Sequence, residues 1–310
     1  MPADLSLPLG PLMPKNPIFS ASGTFGYGEE MEPFVSPGEY GGIVGKSISL
    51  APRSGNPVPR VVETPSGMLN SIGLQNPGID AFLRDYLPRM REYGTALVVN
   101  IVGDGVDEYV EMASRLDGQA GVDAIELNIS CPNCPVGGME FGVDPEATRV
   151  LVEKVREVYG GPIIAKLSPN VTDITVIARA AEDGGAHILS LINTFVGMGV
   201  DWRARKSLLP GFTGGLSGPA IKPLALRMVW QVSRVSNLPI IGIGGIMNAD
   251  DVLEFLAVGA RAVQLGTVQF VRPRVVRDIL KDLTRYLDEE GLESLDDLVG
   301  TIHRREALKG

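Results

Sequence analysis

The 310-residue chain carries a formal net charge of −9, with 44% hydrophobic and 21% charged residues. That balance excludes a disordered or fibrous chain and implies a folded protein with a large core. Neutralising nucleic-acid phosphates takes a basic face, and no cluster of lysines or arginines appears, so a nucleic-acid binder is excluded. Residues 1–9 lack the basic start and apolar run of a signal peptide. No stretch reaches the roughly 18 uninterrupted apolar residues of a membrane span, and a cytoplasmic protein without membrane contact is expected.

Short apolar, β-rich runs recur along the chain at residues 17–21, 42–46, 96–101, 123–128, 162–167, 187–192, 239–242 and 262–265. Most are separated by segments with helical apolar spacing. Near-continuous apolar strands alternating with helices imply a parallel sheet covered on its outer face. Helix starts agree with this reading. Asp144-Pro145-Glu146 supplies an N-cap, a proline at the first helical position and an early carboxylate, and Asn248-Ala249-Asp250-Asp251 opens a later helix in the same manner. Eight strand and helix units in this length predict one α/β domain over residues 1–310, a (β/α)8 TIM barrel. A doubly wound sheet would want its glycine fingerprint after the first strand, whereas Gly242-Ile243-Gly244-Gly245 comes late.

Two segments exceed what connections need. Residues 50–70 carry several prolines and read as an excursion, a hairpin over the C-terminal mouth. Residues 194–215, after the sixth run, are rich in glycine and read as a second wall and a candidate lid.

Three groups of residues can carry chemistry. Gly244 and Gly245 follow the seventh run, and Gly266 and Thr267 follow the eighth, the two loops where such barrels commonly cradle a phosphate on bare N–H groups. Ser217-Gly218, opening the preceding helix, can add donors there. The second group is polar residues at strand ends: Lys46, Ser47, Asn100, Asn128, Lys166, Asn193 and Thr194. Two lysines with several amides suit an anionic, planar ligand rich in heteroatoms, although a Schiff-base role for Lys166 also fits its position. The third is Cys131 with Cys134. The pair is too small and too close for a disulfide framework and fits a reducing compartment. Zinc lacks ligands, since His187 and His303 are the two histidines and both are distant in sequence. A nucleophile lacks a nearby histidine. Proton abstraction by the Cys131 thiolate remains, against the plainer reading of a buried inert thiol, which is kept for Cys134.

Several motifs in order resemble those of dihydroorotate dehydrogenases, flavin barrels of pyrimidine synthesis. They are Ala21-Ser22-Gly23, Gly45-Lys46-Ser47, Asn70-Ser71-Ile72-Gly73-Leu74, Asn128-Ile129-Ser130-Cys131-Pro132-Asn133, Lys166-Leu167-Ser168-Pro169-Asn170 and Gly214-Gly215-Leu216-Ser217-Gly218-Pro219-Ala220-Ile221-Lys222-Pro223. A cysteine at position 131 separates the chain from the membrane-bound class, which has serine there. Lys166 to Val171 and Gly137-Gly138-Met139-Glu140-Phe141-Gly142 look like the NAD-linked class rather than the fumarate-linked one, the next nearest. A barrel that binds a phosphorylated ligand without catalysis is the reading outside enzymes.

The resemblance implies oxidation of dihydroorotate to orotate. It implies FMN in this chain, and FAD with a 2Fe-2S cluster in a partner subunit that passes electrons to NAD. This chain's two cysteines are too few to hold such a cluster. Paired barrels, a homodimer within a heterotetramer, are also implied. The FMN phosphate is expected at Gly218, Gly244, Gly245, Gly266 and Thr267, and the rest of the flavin against Ser22, Lys46, Ser47, Asn100, Asn128, Lys166 and Ile192. Substrate is expected against Lys46, Asn70, Ser71, Ile72, Gly73, Leu74, Asn128, Asn133, Asn193 and Thr194; the family often has serine where this chain has Thr194. Cys131 is then the base that removes the C5 proton while hydride leaves C6 for the flavin.

Overall fold

The computed structural model describes residues 4–129 and 141–303. Eight parallel strands close on themselves in sequential order: β1 (Ile18–Ser20), β2 (Gly42–Val44), β3 (Ala96–Ile101), β4 (Ala124–Asn128), β5 (Ile163–Leu167), β6 (Ile188–Leu191), β7 (Ile240–Ile243) and β8 (Ala262–Leu265). Seven fall within the apolar runs, and β7 extends one residue past the run at 239–242. The expected (β/α)8 barrel is what the chain forms, because strands buried on both faces are predominantly apolar.

Period-two alternation divides the interior into two cores. Outward residues join the helices in the larger one. The smaller core lies inside the barrel, where every strand contributes one residue: Phe19, Val44, Val98, Ala124, Ile164, Ile188, Ile241 and Ala262. Leu9 and Leu12, from an N-terminal turn closed by reciprocal backbone hydrogen bonds, complete this layer. One barrel end is thus packed and apolar, which leaves the other for chemistry.

Helices Val106–Leu116, Pro145–Val158, Ile174–Asp183, Lys222–Ser233, Ala249–Ala257 and Val275–Glu290 cover the outside. Both expected caps form: the Asp144 carboxylate accepts from Ala147 N at 2.8 Å, and the Asn248 side chain accepts from Asp251 N at 3.0 Å. The buried face of Pro145–Val158 is made by Thr148, Leu151, Val152 and Val155.

The two long excursions meet. Strands Val61–Thr64 and Gly67–Asn70 form the expected hairpin, and Thr213–Ser217 pairs antiparallel with it, Gly215 opposite Asn70 and Ser217 opposite Met68. Phe195–Met198 adds the fourth strand on the far side of Thr213–Ser217. Two walls expected as separate loops are one sheet. Gly215 has to be glycine, because a Cβ there would collide with the Thr194 side chain that passes beneath.

His187 stands where the chain enters β6 and accepts a hydrogen bond from Ile163 N through Nδ1 at 3.1 Å. Burial, helped by the nearby Arg156 charge, holds its pKa below the ordinary 6.5. The unfolded chain therefore takes up a proton that the folded protein resists, and stability falls as pH drops through the ordinary histidine range. We predict that the fall in melting temperature between about pH 7.5 and about pH 5.5 is shallower in His187→Asn. Parallel curves for the two proteins would exclude this contribution.

Candidate active site

The open end of the barrel and the cover sheet enclose a cavity of about 1360 Å³, counted with the solvent at its mouth. Its lining unites residues from all along the chain. Ser22, Lys46 and Ser47 come from the ends of β1 and β2, Asn128 from β4, Lys166 from β5, and Ile192, Asn193 and Thr194 from the end of β6. The cover contributes Asn70, Ile72, Gly73 and Leu74, and the late loops contribute Gly218, Gly244, Gly245, Gly266 and Thr267. Ser71 stands off this wall, with its hydroxyl accepting from Asn56 Nδ2 at 2.9 Å. Cys131 and Asn133 lie outside the described residues.

Hydrogen bonds hold the polar wall. Ser22 Oγ and Ser47 Oγ are 3.2 Å apart, Asn128 Nδ2 donates to Ser47 Oγ at 3.5 Å, and Asn193 Nδ2 donates to Asn128 Oδ1 at 3.2 Å. Behind them the Tyr109 hydroxyl donates to Asn128 O at 2.7 Å. Asn170 ties the rim down by donating to Thr194 O at 3.0 Å and accepting from Val196 N at 2.9 Å.

The glycine end is shaped by backbone that side chains would block. Gly218, Gly244 and Gly245 all have positive φ, at 104°, 132° and 76°. A Cβ on Gly245 would sit 2.9 Å from Lys222 N, and one on Gly218 would sit 2.6 Å from Gly67 Cα. The loop after β7 is clamped from behind by Asp251, which accepts from Met247 N at 2.7 Å and from Lys222 Nζ at 2.5 Å. Burial alone would lower the Lys222 pKa, but hydrogen bonds to Asp251 and Glu254 outweigh it and hold the ammonium above its ordinary value.

One layer above the apolar barrel core, the inward positions turn polar. Glu126, two residues after Ala124, is fully buried. Its Oε1 accepts from Asn100 Nδ2 at 2.6 Å and lies 3.5 Å from Lys166 Nζ; its Oε2 accepts from Ser190 Oγ and Gln264 Nε2, both at 2.8 Å. Asn100 therefore lies beneath the cavity floor rather than in its wall. Sequence reasoning overlooked Glu126, Ser190 and Gln264. The available signal was parity: polar residues embedded in apolar strands, two positions beyond inward apolar ones. Among the described residues, no group of three or more histidine, cysteine, aspartate or glutamate side chains is placed to hold a metal.

The model of the family "Dihydroorotate dehydrogenase" matches residues 11–287. The chain belongs to the dihydroorotate dehydrogenase family. It is 50% identical over 299 residues to the "Dihydroorotate dehydrogenase B (NAD(+)), catalytic subunit" of Geobacter sp. (strain M21), covering 96% of this chain and 98% of that protein. The protein of the same name from Desulforamulus reducens is 50% identical over 303 residues, 98% of this chain and all of the relative. That from Bacteroides thetaiotaomicron is 48% identical over 300 residues, 97% and 99% of the two chains. Within a family of dehydrogenases the two lysines and the amides on one cavity wall are a set that can orient a planar anion and hold positive charge beside it. Among the described residues, no helix is long and apolar enough to cross a membrane.

Removing Lys166 leaves the Glu126 carboxylate buried without its cation. Lys166→Met is expected to lower unfolding stability by about 3 kcal/mol in urea titration, and adding Glu126→Gln to restore most of the loss. A loss under about 1 kcal/mol in the single variant would show that the remaining donors suffice.

Proposed function

We propose that this chain oxidises dihydroorotate to orotate in pyrimidine biosynthesis, as the FMN-holding catalytic subunit of an NAD-linked dihydroorotate dehydrogenase. One observation carries the reading. The glycine loops and the lysine and asparagine set, far apart in sequence, line the same cavity of a barrel that belongs to this family.

The residues present fit FMN. Gly218, Gly244 and Gly245 line the cavity with backbone that carries no side chain, and a Cβ on Gly266 would meet nothing closer than Ala21 Cβ at 3.7 Å, which suits a phosphate held on bare N–H groups. In this assignment Gly218, Gly244, Gly245, Gly266 and Thr267 hold the phosphate, while Ser22, Lys46, Ser47, Asn128, Lys166 and Ile192 hold the remainder, and Asn100, beneath the floor, supports Glu126 instead. The flavin, once bound, supplies the acceptor for the hydride that leaves C6 of the substrate.

The chain's own residues do the rest. Lys46, Asn70, Ile72, Gly73, Leu74, Asn128, Asn133, Asn193 and Thr194 orient dihydroorotate through its carboxylate and ring amides, and the cover sheet keeps water from the reacting face. The Cys131 thiolate takes the C5 proton. Lys166 holds positive charge against the cofactor where electron density gathers. Residues 1–310 are assigned as a single FMN-binding domain that works in the cytoplasm, two copies pairing within a heterotetramer. FAD and a 2Fe-2S cluster are assigned to the partner subunit, because two cysteines fall short of the four thiolates such a cluster takes.

Steady-state assays with dihydroorotate and an artificial acceptor test the assignment. Cys131→Ala is expected to keep its flavin and lose turnover by about 100-fold or more. Cys131→Ser is expected to regain part of it with a pH profile displaced to higher pH, an alcohol being the weaker acid. Full activity in both variants would remove Cys131 from the chemistry, and rapid turnover with fumarate without a partner would place the chain in the fumarate-linked class.

A further inference from the structure

Glu126 is a carboxylate inside a barrel, with no exposure to solvent. A bare charge there would be unfavourable unless compensated. Four side chains from four different strands compensate it, and they divide by oxygen. Oε2 faces the neutral donors Ser190 and Gln264, whereas Oε1 faces Asn100 and the Lys166 ammonium. Of these partners only Lys166 also lines the cavity. The 3.5 Å separation of Lys166 Nζ from Oε1 exceeds the 2.6 to 2.8 Å of the other three contacts, so the ammonium is held by charge without being drawn fully onto the carboxylate. The ammonium is a flexible point charge on a long stem, and a fixed anion beneath it decides where it rests.

We propose that Glu126 is a positioning residue that acts through Lys166: it fixes the ammonium on the cavity floor and offsets part of its positive charge, and by doing so sets the redox potential of the bound flavin. This rests on the assignment of FMN to the cavity. The electron-rich reduced cofactor is favoured by net positive charge near it, and the potential therefore depends on how strongly the carboxylate is itself satisfied from below. Ser190 and Gln264 are then part of the adjustment. By donating to Oε2 they draw negative charge away from the oxygen that faces Lys166.

The test is a pair of substitutions with opposite expected signs, measured as midpoint potentials of the bound flavin by equilibrium dye titration. The protein used is one whose wild-type form has already been shown to oxidise dihydroorotate, so the cofactor assignment stands or falls before the variants are compared. Glu126→Gln keeps the shape and removes the negative charge; its potential is expected to move in the positive direction with flavin content unchanged. Ser190→Ala leaves the charge and removes one donor from it; its potential is expected to move in the negative direction. Simple damage to the barrel would displace both the same way, and that result, or no displacement in either variant, overturns the proposal. Should Glu126→Gln fail to fold, Ser190→Ala decides alone: a negative shift supports the proposal and an unchanged potential overturns it.

Discussion

A carboxylate enclosed at the centre of a β-barrel is the constraint on which the upper half of this structure depends. Glu126 needs donors, and the barrel supplies them at the inward positions of β3, β5, β6 and β8, directly above an apolar layer to which every strand contributes. The change from apolar to polar within one two-residue step separates the packed end of the barrel from the reactive end. Lys166 links the two, paired to Glu126 below and exposed to the cavity above. A buried ion pair of this kind adds little net stability compared with a well-packed apolar pair. What it contributes is a cation at a defined place on the cavity floor.

The cover sheet is the second organising feature. Segments separated by more than a hundred residues, the hairpin ending at Asn70 and the strand containing Gly215, pair in register above the cavity, and the Asn70 side chain donates to Gly215 O at 3.3 Å. The stretch expected to contact substrate, Asn70 to Leu74, is thereby built onto an ordered sheet instead of an independent loop. Thr194 belongs to the same arrangement, with its side chain against Gly215 and its carbonyl held by Asn170. The threonine, where the family often has serine, keeps the hydroxyl, the atom that lies nearest Gly215.

Much of this was legible in the chain. Parallel strands buried on both faces are apolar along most of their length, so eight short runs mark eight barrel strands, and the glycines after β7 and β8 mark the loops at one end of the cavity. Long-range antiparallel pairing leaves no comparable local trace, and residues 50–70 and 194–215 therefore read as two walls although they form one sheet. Glu126 was passed over for a similar reason. One carboxylate in an apolar strand looks incidental until Asn100, Lys166, Ser190 and Gln264 are brought round it by closure of the barrel. Ser71 illustrates the limit of a motif read as a block: its neighbours Asn70, Ile72, Gly73 and Leu74 line the cavity, while its own hydroxyl turns to Asn56.

The cavity combines a glycine-rich end, a charged floor supported by Glu126, and a wall of hydrogen-bonded amides. Flavin-dependent oxidation of dihydroorotate in this cavity is tested most directly by mixing the purified protein with a small excess of dihydroorotate under strictly anaerobic conditions and following the flavin absorbance while orotate is assayed. The flavin is expected to bleach, with one orotate formed for each flavin reduced. A protein that binds no flavin, or a bound flavin that stays oxidised while dihydroorotate is recovered intact, would contradict it.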